Sequence, residues 1–514
     1  MLAAALLIAP FSVRAAAPAP KATAANPTDA KFRAIADAEW KWRMAEMAGG
    51  ADNDGMYSRF PDIGPAAQDR RLKYWTDIAK RLDAIDEAKL SPAAQIDFEV
   101  YRNQISRLLD DQNFREWELP LNSDSAFWSD IHYTARGSFN GGEKDYRAYL
   151  KQLADLPRWF DQQMANMEAG RKRGFMLPKA IMAGRDSAIA GIAEAKDPTK
   201  IVFYEPFQKI PASVPAATRD ELQAAARKVI AESVIPAYAK LLRYYRGTYY
   251  PAMRSTLAAY DLPDGEAYYA SRIRVYTTTN LTAEQIHQIG LDEVAKIKAR
   301  MLEVMKQVGF RGTLPEFLKF LKTDPQFYEK TPEALLKDAA WIAKEFDRVA
   351  PRWFGRMPRG RFGIVKVPDD IAPYYTAGRG GGSTYLLNTY DLPSRPTYSL
   401  PALTLHESAP GHSWQTTLAS ENKGLKPWRR YDYISAYGEG WALYTEVLGE
   451  EMGIYQNPYE VFGMLSYQMW RACRLVIDTG IHAKRWSREQ GLAYMRDHTA
   501  LSEREVTTEV DRYI

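Results

Sequence analysis

The chain has 514 residues, 46% of them hydrophobic, and carries 68 Lys and Arg against 64 Asp and Glu for a formal net charge of +4. That much apolar material can fill a large core, and the basic residues are scattered instead of forming a stripe, which argues against a nucleic-acid partner. A single cysteine, Cys473, excludes an internal disulfide framework and thiolate-rich metal sites, so any metal must sit on His and carboxylate ligands.

Residues 1–25, MLAAALLIAPFSVRAAAPAPKATAA, combine a short apolar run with Ala-x-Ala choices but no positive leading segment. They read as a secretory signal peptide or a disordered export segment, and a periplasmic or secreted location is expected. No later stretch reaches the roughly 18 uninterrupted apolar residues of a membrane span, so none is expected.

From Pro27 to Phe346 the sequence reads as successive amphipathic helices punctuated by Pro and Gly. Residues 26–355 are accordingly assigned as a helical region. Thr282 and Gln285 make a capping box before a helix whose apolar face carries Ile286, Ile289, Val294, Ile297, Met301 and Met305. The 31 tyrosines and 13 tryptophans are expected mostly to pack between helices.

Near Arg361 the pattern changes. GRFGIVKVPDD alternates as a strand does, the glycines at 380 to 382 read as a flexible run, and a second strand is expected from Thr384 to Tyr390. Helices are expected from about Ala402, from about Tyr433 to Met452 and from about Pro458 to Thr479, with a capping box at Ser487 and Gln490 opening another. The expected class is mainly α with a small β-sheet beside the active-site helix, residues 356–514 forming the catalytic region.

The chemistry concentrates in LTLHESAPGHSWQ. Only six histidines occur, yet two of them, His406 and His412, bracket Glu407 and a Pro-Gly pair. Two His facing one zinc with a Glu beside the metal-bound water is the arrangement of the H-E-x-x-H hydrolases, but here the spacing is six rather than four. An unbroken helix would put the second His about 240° round from the first, so the helix must break between them. Pro410 cannot donate the hydrogen bond owed to the His406 carbonyl, and Gly411 tolerates backbone angles that turn the chain back.

A third ligand is expected from YGEGWALYTEVLGEEMG. Glu439 and Glu446 share a helical face about 10 Å apart along the axis, so both cannot reach one metal. Glu439 is preferred because Gly438 and Gly440 allow close backbone approach, leaving Glu446 to orient a ligand or to serve as the alternative.

HESAPGH, EGWALYTEVLGEEMG, MWRACRLVIDTGIHAKRWSREQ and STYLLNTYD together resemble, over most of the chain, the bacterial family called domain of unknown function 885. The resemblance implies a distant branch of the gluzincin metallopeptidases, with a helix-rich fold comparable to thimet oligopeptidase or angiotensin-converting enzyme, residues 26–355 forming a cleft wall, and short peptides as substrates. Two departures stand out. Family members usually carry a second His where this chain has Ser413, and they continue beyond the position of Ile514, so a truncated C-terminus is expected.

The expected mechanism places one zinc ion on His406, His412 and Glu439, with Glu407 activating water and then protonating the leaving amine. His482, oriented by Asp478, is the leading oxyanion donor, with a satisfied structural role as its alternative. Arg471 and Arg474 could bind a peptide carboxylate or pair with glutamates of the preceding helix. Tyr385 to Asn388 could present backbone groups and the Asn388 amide to an extended peptide at a sheet edge. His132, His287 and His498 are left structural. Competing readings are a metal-dependent hydrolase of a nonpeptide amide or ester, and an inactive or structural-zinc secreted binding protein.

Overall fold

The computed structural model describes residues 26–47, 58–123, 125–137, 139–369 and 371–514; the expected export segment, 1–25, lies outside the described residues. Helices α1 (Pro27–Met47), α2 (Pro65–Asp83) and α3 (Pro92–Asn113) come first. Their apolar faces meet through Phe32, Trp75, Phe98 and Tyr101, and Trp428 from far downstream completes this small core. The long α4 (Glu143–Arg173) and the shorter α5 (Gly265–Thr277) precede α6 (Ala283–Gln307).

The capping box at the start of α6 forms as expected: Gln285 N donates to Thr282 Oγ1 at 3.2 Å and Thr282 N to Gln285 Oε1 at 2.9 Å. Ile286, Val294, Met301 and Met305 are buried, whereas Ile289 is 41% exposed. At 100° per residue Ile289 falls on the flank of the stripe defined by the other four, so it turns to solvent. Opposite that stripe runs α11 (Pro458–Lys484), and a Cβ on Gly290 would lie 2.8 Å from Val476 Cγ2 and 3.1 Å from Val476 N. That glycine lets the two helices approach closely.

After α7 (Pro332–Trp353) come β1 (Gly363–Lys366), β2 (Gly378–Gly381) and β3 (Thr384–Leu387), in the spatial order β1-β3-β2. β1 runs parallel to β3, Gly363 opposite Thr384, and β2 antiparallel to it, Gly381 opposite Thr384. Two expectations need correction. Gly380 and Gly381 belong to a paired strand instead of a free flexible run, and β3 stops at Leu387 instead of Tyr390. β3 is also the central strand, so its backbone groups are already committed on both sides.

The chain then passes through α8 (Leu400–Glu407), α9 (His412–Glu421), α10 (Ser435–Glu451), α11, α12 (Arg488–His498) and α13 (Glu503–Tyr513). The expected capping box at Ser487 and Gln490 opens α12. The principal core joins Met301 and Phe317 to Phe462 and Met469, so apolar packing runs continuously across position 355. Mainly helical architecture with one small three-stranded sheet is therefore the fold. Among the described residues no helix is long and apolar enough to cross a membrane.

Candidate metal centre

The break in the histidine motif is built from backbone. α8 ends at Glu407 and α9 begins at His412; between them Gly411 N donates to Leu405 O at 2.9 Å, and Trp414 N donates to Ser408 O at 3.0 Å. No larger residue fits at 411, where φ is −73° and ψ −132°. Space is the reason: a Cβ there would sit 1.9 Å from the His406 carbonyl oxygen. The result places the two imidazoles 4.8 Å apart between centroids, at 87° to each other.

Glu439 closes the group from α10. Its Oε2 lies 3.7 Å from His406 Nε2 and its Oε1 3.6 Å from His412 Nε2, and ligand atoms of these three residues all fall within 4.8 Å of one another. This group could hold a metal ion. Both histidines are buried, whereas the Glu439 side chain is 57% exposed, so the centre opens on one side.

Glu446 takes the orienting role. It is fully buried, and its Oε1 is 2.8 Å from His406 Nδ1 and 3.5 Å from the Arg471 guanidinium. With the imidazole proton held on Nδ1 by this carboxylate, Nε2 keeps its lone pair for a metal. Burial works against a charged His406, but hydrogen bonds to Glu439 and Glu446 outweigh it and raise its pKa to about 9. Burial likewise opposes the charge on Glu439, yet the two histidines hold its carboxyl well below the usual range. A divalent cation would supply the same compensating charge.

Glu407 is fixed by the sheet. Gly380 N donates to its Oε2 at 2.6 Å, and no hydrogen bond from the described residues occupies its Oε1. β2 is tied down further by Gly381 N donating to Ser413 Oγ at 3.2 Å and Gly382 N to Thr416 Oγ1 at 2.9 Å. Ser413, where the resemblance expects a histidine, therefore bridges sheet and helix. A Cβ on Gly380 would lie 1.6 Å from the Glu407 carbonyl oxygen, backbone against backbone. Gly380→Ala is expected to cost about 3 kcal/mol in denaturant unfolding, because strand or helix must move to admit the methyl group.

The rationale from the flanking glycines holds at only one of them. A Cβ on Gly438 would meet the Tyr433 ring at 2.4 Å, while one on Gly440 would meet nothing within 4 Å. Tyr433, to which the sequence assigned no role, donates its hydroxyl to Glu439 Oε1 at 3.1 Å and braces that carboxylate. Burial and the neighbouring carboxylate both push its pKa up. Trp441 Nε1 donates to Pro410 O at 2.7 Å and pins α10 against the broken motif.

Other candidates are not brought to the centre. His482 lies about 16 Å along α11 from Arg471. Its Nδ1 accepts from Ala259 N at 3.1 Å and its Nε2 donates to Tyr513 O at 2.6 Å, so neither nitrogen is left for an oxyanion. Asp478 accepts from the Tyr269 hydroxyl instead of orienting His482. His482→Ala is expected to lower unfolding free energy by about 2–3 kcal/mol by removing two buried hydrogen bonds, without lowering metal content.

Arg471 pairs with Glu446 and stacks over Trp470 at 4.3 Å, and Arg474 bonds Glu509 at 3.1 Å, so both follow the ion-pairing alternative. Glu509 belongs to α13 rather than to the preceding helix, however. Tyr385 is buried in the central strand, where no edge is available for strand addition. The Asn388 amide is equally committed, donating to the Ala372, Tyr375 and Thr376 carbonyls at 3.0–3.1 Å. His287 Nδ1 is 2.8 Å from Thr479 Oγ1, His132 Nε2 is 3.3 Å from the Tyr238 hydroxyl, and His498 Nδ1 is 2.8 Å from Tyr494 O.

Two solved structures are similar over 95% of this chain. One, described as "the putative lipoprotein from Colwellia psychrerythraea", shares 24% identity with a TM-score of 0.85 and is itself covered to 88%. The other, "a putative lipoprotein of unknown function from Shewanella oneidensis", shares 15% identity with a TM-score of 0.57 and is covered to 91%. At these identities the likeness establishes the fold alone. No curated protein matches. Residues 43–514 match the family described as "Bacterial protein of unknown function (DUF885)", and the chain belongs to that family.

Proposed function

We propose that this protein is a zinc-dependent peptidase acting on short peptides, with His406, His412 and Glu439 holding one zinc ion and Glu407 as general base and acid. The observation that carries this reading is the two-sided setting of His406, with Glu446 on Nδ1 and the open, Glu439-facing side at Nε2. Tetrahedral zinc with bonds of about 2.0–2.2 Å keeps its ligand atoms about 3.3–3.6 Å apart, close to the 3.6 and 3.7 Å between Glu439 and the two imidazoles. Three protein ligands with an exposed fourth side suit a catalytic rather than a structural ion.

When bound, zinc lowers the pKa of a water molecule and polarises a carbonyl oxygen. Glu407, held through Oε2 by Gly380, takes the water proton on its unoccupied Oε1 and returns it to the leaving amine nitrogen. Glu446 and Tyr433 keep the His406 ring and the Glu439 carboxylate in place throughout.

Placement among gluzincin-like folds is part of the same proposal, supported by two His and a distal Glu on successive helices beside a small sheet. So is the division into a helical wall, 26–355, and a catalytic region, 356–514. Export to the periplasm or beyond is supported by the composition of residues 1–25 and by the words "putative lipoprotein" in the descriptions of the two solved structures named above.

The test is zinc content of the purified chain followed by cleavage of a peptide library before and after chelation. One zinc per chain and cleavage lost on chelation are expected. Cleavage that persists without metal would overturn the reading, and hydrolysis of esters or nonpeptide amides alone would replace it with the other hydrolase.

A further inference from the structure

We propose that Arg107 is a positioning residue for the metal centre: from the N-terminal helices it fixes Tyr433, and through Tyr433 the carboxylate of Glu439. The proposal rests on the reading of Glu439 as a metal ligand and not on the peptidase activity. It gives the small core of α1–α3 a task at the site, although Arg107 lies 326 residues upstream of Tyr433.

Glu439 needs support from outside the metal group. Its side chain is 57% exposed, so close packing does not hold it, and a carboxylate free to rotate spends less of its time aimed at a metal. The Tyr433 hydroxyl supplies a hydrogen bond at 3.1 Å, and its ring lies against Gly438 in the first turn of α10. Tyr433 itself stands before α10, in the connection from α9. A brace on such a connection is as firm as the contacts that anchor the connection.

Those anchors come from α1 and α3. Asp37 accepts from Trp428 Nε1 at 3.0 Å and from Lys426 Nζ at 2.7 Å, and the Trp428 ring is buried with Phe32 and Tyr101. Asp97, Gln104 and Arg107, seven and three residues apart, share one face of α3. Asp97 pairs with Arg429, and Gln104 Nε2 donates to Trp428 O at 2.7 Å. Arg107 holds the end of the segment: its Nη1 donates to Tyr433 O at 3.0 Å and its Nη2 to the Asp432 carboxylate. Two donors of one rigid guanidinium on neighbouring residues set direction as well as distance, which aims the Tyr433 ring at Glu439.

The experiment measures zinc affinity by competition with a chelator for wild type, Arg107→Met, Arg107→Lys, Tyr433→Phe and the Arg107→Met/Tyr433→Phe double variant. Arg102→Met is the control, since that side chain is exposed and turns to Asp83 at 3.2 Å. Hydrogen exchange of residues 430–439 is read on the same proteins without metal. Arg107→Met and Tyr433→Phe are each expected to weaken zinc binding about 10-fold and the double variant no more than either one, because both act through the same hydroxyl. Arg107→Lys is expected to lose less, its ammonium still meeting Asp432. Arg107→Met is also expected to speed exchange across 430–439, and Arg102→Met to match wild type throughout. Affinity in Arg107→Met within about two-fold of wild type, or losses that multiply in the double variant, overturns the proposal. Should Arg107→Met fail to fold, Arg107→Lys carries the same cycle with Tyr433→Phe. If wild type takes up no zinc, the metal reading fails and exchange alone decides the clamp: faster exchange confined to 430–439 in the Arg107 variants sustains it, and unchanged exchange sinks it.

Discussion

Glu407→Gln is expected to lower kcat on a cleaved peptide by about 10³-fold while the protein still binds one metal ion. The effect is large because the glutamine keeps the shape of the side chain and can still accept the Gly380 N–H, but it cannot carry a proton between water and leaving amine. Metal content should stay at the wild-type level, since Glu407 is not among the three converging ligands. Steady-state kinetics with metal analysis of the same preparation checks both parts. A variant whose kcat remains within a few-fold of wild type would remove Glu407 from the chemistry.

The second large effect concerns Glu446. Glu446→Gln is expected to weaken metal binding by about 10–100-fold, because the neutral amide still meets His406 Nδ1 but no longer raises the basicity of the ring. At saturating metal kcat should recover most of its value, which separates this residue from Glu407. Glu446→Leu should be worse in a different way. Arg471, 19% exposed, loses its carboxylate partner, and breaking such a largely buried pair costs about 3–5 kcal/mol of folding stability. Competition titration against a chelator reads the first effect and denaturant unfolding the second.

Several parts of this arrangement were legible in the chain. The six-residue spacing from His406 to His412 requires a helix break by geometry alone, and Pro410 supplies it. Glu439 and Glu446, two turns apart on one face, could not both reach one ion by the rise of a helix, but which of them meets both imidazoles was decided by the fold. The capping boxes at Thr282 and Ser487 were readable because a cap is a contact between residues three apart.

What went unread depends on residues far apart in sequence. His482 is four residues from Asp478, yet its nitrogens meet Ala259 and Tyr513, which helical periodicity within α11 cannot reveal. Tyr385 and Asn388 looked like edge residues because strand order was unknown; β2 arrives before β3 in the chain but flanks it, placing β3 at the centre. Tyr433 carried one weak local signal, the small residue at 438 against which its ring packs.

By itself, then, the sequence determined the pairing of His406 with His412, the choice of the third carboxylate down to Glu439 or Glu446, the necessity of the break between the histidines and the mainly helical class, since each rests on local spacing and the fixed pitch of a helix. Tertiary structure alone decided that Glu439 meets both imidazoles, that β2 holds Glu407 by the Gly380 N–H, and that Glu446 and Arg471 support His406 from behind. These contacts join segments 25 or more residues apart, and only the packing of α8, α10 and α11 around the small sheet brings them into range.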